Sequence, residues 1–196
     1  MTTQTRWLVV GMLALAVGFG FWVAMSGAAD DDAKTTVPKI AAALEKNDAA
    51  DAKKQAAALA KSAEIEDVMH VFSLRRSKGL GVGTKPDAIK PDGIEAKIMD
   101  LAKKPLPQEQ LNTQADALLQ MAYVSAAIGE VAHAKPPEKD EGKKKKSDWL
   151  KWSTDMRDSA LQFAVAVKDK KPASVQKAAT KLYGSCTQCH GVFKDE

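Results

Sequence analysis

The last stretch of the chain constrains its fold more than any other. Val175, Ala178, Leu182, Cys186, Cys189 and Phe193 recur every three or four positions, the repeat of one helix face. Pro172 stands where a first helical turn tolerates proline, so the pattern predicts a terminal helix that begins there. The chain's only two cysteines lie on the apolar stripe of that helix. His190 follows Cys186 by four residues and shares its face. Whatever packs against the last helix therefore packs around two thiols and an imidazole.

The rest of the chain reads as helices suited to that packing. Alanine, lysine and leucine dominate, and no long Val/Ile/Thr-rich alternation occurs. Asp48 is a candidate N-cap for a long helix that runs on through Leu59, Ile65, Met69 and Phe72. Lys78 to Gly93 holds four glycines and two prolines and reads as a long connection. A short amphipathic helix follows over Ile94 to Lys103, closed off by Pro105 and Pro107. Gln108 to Ala134 reads as a long helix, and Lys135 to Lys146 as a Pro- and Lys-rich loop. Ser147 is a candidate cap for a helix carrying Trp149, Trp152, Met156, Phe163 and Val167. Ahead of Asp48, residues 30 to 36 are polar and read as unstructured, and Val37 to Glu45 as a short helical arm. The expected fold is all-α: an antiparallel four-helix bundle over residues 49–196, preceded by the 30–48 segment and arm.

Residues 1–29 stand apart. They contain no Asp or Glu, and Arg6 precedes 19 uncharged residues from Trp7 to Met25. Ser26-Gly27-Ala28-Ala29 follows, which completes the pattern of a secretory signal. The apolar run is also just long enough to span a bilayer, so a retained membrane anchor through residues 7–25 is the other reading. Either one places the remainder outside the cytoplasm, in the periplasm or an equivalent exported compartment. With 28 basic against 25 acidic residues after Ala29, the exported part lacks the charge bias of a nucleic-acid binder. The run Lys143 to Lys146 reads as a solvated loop. No set of residues suggests a catalytic acid, base or nucleophile, so the chain does not read as an enzyme.

Cys186-Thr187-Gln188-Cys189-His190 has the form CxxCH, the attachment motif of c-type haem. Two thiols add across the two porphyrin vinyl groups, so their separation has to match the vinyl spacing, and the neighbouring imidazole becomes the proximal iron ligand. A redox disulfide would instead follow a strand at a helix start. A zinc site would need further ligands, for which only His70 and His133 remain. The motif therefore points to one covalently attached haem c, held by Cys186 and Cys189 with His190 on the iron.

The terminal CTQCHGVFKDE, on the last of four helices and with Phe193 and Lys194 after the histidine, resembles the class II c-type cytochromes, the cytochrome c556 and cytochrome c′ family. The resemblance spans residues 49–196 and is specific in the last-helix motif alone. It implies one of two functions. A methionine on the first bundle helix completes a six-coordinate one-electron carrier, whereas an apolar residue there leaves a five-coordinate iron that binds nitric oxide or carbon monoxide. Met69 lies on the stripe Ile65, Met69, Phe72 and is the expected distal ligand. His70 is turned about 100° from it on a helix, and remains an alternative, as does an open iron. Met99, Met121 and Met156 read as packing residues. The resemblance further implies a redox partner protein, a pairing of Arg75 or Arg76 with a haem propionate, and in some members a homodimer. The glycine-rich Gly79 to Gly83 would reverse the chain near the distal side of the haem pocket.

Overall fold

The computed structural model describes residues 25–194. These form α1 (Met25–Glu45), α2 (Ala49–Ser62), α3 (Ile65–His70), a 3-10 turn (Arg75–Ser77), α4 (Ile94–Lys103), α5 (Gln108–Ala134), α6 (Lys146–Lys168) and α7 (Pro172–Phe193). There is no strand among the described residues, so the all-α class holds. Nor is any helix among them long and apolar enough to cross a membrane. Residues 1–24, which hold most of the expected signal or anchor, lie outside the described residues.

α5 is the central member. It packs along α6 and, on its other side, against α1 and α2; α7 packs against α6 and α4. From Met121 to Ala132 every residue of α5 is buried, which only a helix surrounded on all sides can sustain. One continuous core runs through the assembly, from Val37 and Ile40 of α1 through Leu118 and Ile128 of α5 to Phe163 of α6 and Leu182 of α7.

Three sequence expectations need correction. Residues 30–36 are helical, because Ala33, Val37, Ile40 and Leu44 form one buried stripe that carries α1 back through them. The expected long helix from Asp48 to Phe72 is two helices. Asp48 does cap α2, its Oδ1 accepting the Asp51 N–H at 3.0 Å. The chain then extends at Ala63 and Glu64 before α3 begins. Lys135, beyond the end of α5, makes that break favourable. Its ammonium donates to the carbonyls of Ala60 (3.3 Å) and Ala63 (2.9 Å) and pairs with Glu64 at 3.4 Å, supplying partners that a continued helix would have made internally. At the start of α6 the N-cap position is Lys145, whose side chain makes no capping bond; Asp140 of the preceding loop accepts the Lys146 N–H at 2.8 Å, and Ser147 lies inside the helix.

The connection between α3 and α4 is organised by one carboxylate. Asp92 accepts from Arg75 Nε (2.9 Å) and from the amides of Val82 (2.8 Å) and Asp87 (3.1 Å). Arg75 also donates to the Gly83 carbonyl at 2.7 Å. Gly81 and Gly83 have φ of +73° and +74°, values that suit glycine in so tight a wrap. This loop lies over α5, where a Cβ at Gly83 would meet Ala117. Burial alone would raise the Asp92 carboxyl, but its hydrogen bonds to Arg75, Val82 and Asp87 outweigh that and hold it below its usual range.

Two outcomes follow. Because the folded pKa of Asp92 is depressed, its contribution is complete above the unfolded carboxylate value of about 4 and is lost as pH falls through the folded one. Urea titrations of wild type and Asp92→Asn should thus differ at pH 7 and converge in acid; a gap independent of pH would contradict this. At the α5–α6 crossing, a Cβ on Gly129 would lie 2.9 Å from the Arg157 backbone nitrogen. Gly129→Val should cost about 1–3 kcal/mol by overpacking, and an unchanged unfolding midpoint would refute the close crossing.

Candidate functional site

Toward the C-terminal end of α7 the core gives way to a cavity of about 310 Å³. The reason lies in three small residues. Val175, Ala179 and Leu182 anchor the first part of α7, but the next core position is Ser185. Ala132 of α5 and Ser153 of α6 face the same space. All three are buried, at 3%, 5% and 5% exposure, and none can fill the volume that Phe163 fills lower in the bundle. The hydroxyls of Ser185 and Ser153 are satisfied by their own helices, donating to the carbonyls of Leu182 (2.7 Å) and Leu150 (3.1 Å). They therefore present little unmet polarity to the cavity.

Cys186, Cys189 and His190 all line this cavity, and so do Met69 and His70. Met69 is half-buried and packs against the core; His70, next to it, is exposed although it also borders the space. The Ile65, Met69, Phe72 stripe thus faces the cavity as its spacing predicts, although α3 is a short helix of its own. The remaining wall is mostly apolar and aromatic: Ile98, Trp149, Trp152, Met156, Tyr183 and Phe193. Glu66, Glu95 and Lys194 are exposed charges at its border.

Both cysteines are free thiols. Burial pushes the Cys186 thiol up to about 12, with the Glu95 carboxylate adding to the effect, and the Cys189 thiol up to about 11. At neutral pH both are protonated. Among the described residues, no group of three or more His, Cys, Asp or Glu side chains is gathered as a metal site.

Several residues stand elsewhere than the sequence suggested. Arg75 is engaged with Asp92 and Gly83 on the far loop, and neither it nor Arg76 is among the residues that line the cavity. The glycine-rich segment borders a second, separate cavity beside α1 and α5, not the one with the cysteines. His133 is half-buried, its Nδ1 within 3.4 Å of Ser153 Oγ and 3.3 Å of Thr154 Oγ, and does not reach the cavity. Met156, read as packing, does line it, whereas Met121 lines the second cavity. The contribution of α4 through Glu95 and Ile98 was not foreseen. Its apolar stripe of Ile94, Ile98 and Leu101 was the available signal, since such a stripe needs a partner, and that partner is α7.

Comparison of the chain with protein-family models, with curated proteins and with solved structures finds no match. The site's own chemistry therefore carries the functional reading.

The protonated thiols give a direct test of the cavity. In the protein without a covalently bound group, iodoacetamide at pH 8 should label Cys186 and Cys189 about a hundredfold or more slower than the urea-unfolded chain. Equal rates would mean that the cavity does not hold the two thiols protonated as described.

Proposed function

We propose that the chain is an exported mono-haem c-type cytochrome that carries single electrons, with a resemblance to the class II family. Cys186 and Cys189 hold one haem c, His190 is the proximal iron ligand and Met69 the distal one. The observation that carries the reading is that these four residues, from two helices far apart in sequence, border one apolar cavity.

The residues suit such a group in three ways. The two thiols are one helical turn apart with the imidazole beside the second, which is the donor set that covalent haem requires. The wall supplies flat aromatic and aliphatic surface for a large planar ring, with little polar surface to desolvate. Small residues at Ala132, Ser153 and Ser185 leave the volume unfilled, although an unfilled core is costly unless something occupies it. When bound, the haem iron supplies the one-electron redox change. The chain's own part is to hold, orient and bury it. A half-buried thioether at Met69 is a neutral soft donor that favours a raised potential over a second imidazole. We read α5, α6 and α7 as three members of a four-helix bundle around the haem, with the α2–α3 segment as the fourth and α4 closing the flank.

An optical spectrum of the exported, matured protein, ferric and reduced, tests this. The ferric form should show the weak far-red band of methionine–iron coordination, and Met69→Ala should lose it. A high-spin ferric spectrum unchanged by that substitution would mean an open iron, and binding of nitric oxide or carbon monoxide would replace electron transfer as the function. Cys186→Ala/Cys189→Ala should abolish covalent attachment altogether; haem still covalently bound in that variant would remove the attachment assignment.

A further inference from the structure

We infer that Trp149 and Trp152 are positioning residues for His190, acting through Phe193; the inference rests on the haem reading above. Phe193 follows His190 by three residues, so the two side chains share a face of α7. Two indoles of α6 grip its ring edge-on. The ring centroids are 4.9 Å apart at 83° for Trp149 and 5.8 Å apart at 80° for Trp152. Edge-to-face pairs are directional, because the positive edge of one ring meets the negative face of another. Trp149 is itself fixed, its Nε1–H donating to the Ala132 carbonyl of α5 at 2.6 Å. The last turn of α7 is thereby tied to two other helices.

The rest of that turn is loosely held. The buried residues of α7 end at Ser185, and a Cβ added at Gly191 would meet nothing within 4 Å. The cysteines constrain the approach to His190 from one side in sequence, and the aromatic clasp constrains it from the other. Rotation of the turn about the helix axis would swing the imidazole, and the held Phe193 ring opposes that rotation. Contacts one shell out commonly set the orientation of a metal-ligating histidine in this way.

The test uses the haem-loaded protein. In the ferric state the spread and order of the four haem methyl proton shifts depend on the orientation of the imidazole plane and of any axial thioether, so each variant is compared with its parent both in the wild-type background and in Met69→Ala. Trp149→Ala should change that pattern, while Trp149→Phe, which keeps a ring edge, should restore most of it. Phe193→Leu, which keeps bulk but no ring, should act like Trp149→Ala and serves in its place if that variant does not accumulate. Helix content by circular dichroism should stay the same across the set. A methyl pattern unchanged in Trp149→Ala and Phe193→Leu, or altered equally by Trp149→Phe, overturns the positioning role and leaves the haem reading intact. A colourless wild-type protein overturns the haem reading and this role with it.

Discussion

The structure depends on what happens along the core face of α7 between Leu182 and Ser185. Up to Leu182 the helix is held by aliphatic side chains that fill the space between α6 and α4. At Ser185 the filling stops, and the facing positions Ala132 and Ser153 do not make up for it. The space among the helices that side chains fill in one half of the molecule is thus left open in the other. Voids of this size are destabilising in a close-packed protein. The tight half, with Phe163, Leu118 and Val167 fully buried, has to offset that cost. It does so by surrounding α5 on all sides, and α5 in turn holds the rim of the cavity in place.

The second organising element is a pair of charges that replace backbone partners at helix and loop junctions. Lys135 takes the carbonyls at the end of α2 and lets the chain turn into α3. Asp92 gathers the amides of the α3–α4 loop and leads the chain into α4. Together they bring α3 and α4 to the cavity, one carrying Met69 and the other Glu95 and Ile98. Neither residue touches the site. Both decide its composition, because a single unbroken helix from Asp48 to Phe72 would present Met69 from a different direction.

The grouping of the site residues was largely legible in the chain itself. CxxCH is a local motif whose meaning depends on spacing within five residues, and helical periodicity put Cys186, Cys189 and His190 on one face. The Ile65, Met69, Phe72 spacing likewise put Met69 toward the cavity. What periodicity could not show was the break at Ala63 and Glu64. Its cause is a lysine 72 residues away in the chain, whose ammonium bonds the Ala63 carbonyl. The bond from Arg75 to Asp92 was beyond the reach of periodicity for the same kind of reason, since Asp92 lies 17 residues on across a loop.

The sequence by itself determined the helical class, the position of most helices and the common face of Cys186, Cys189 and His190, because each follows from repeats and spacings shorter than two helical turns. Tertiary structure alone decided that there is room beside those three residues. The room comes from small residues on three helices meeting at one level, and from aromatic side chains of α6 closing on the end of α7. Volume and ring orientation are properties of how helices are set against one another, and no single stretch of chain encodes them.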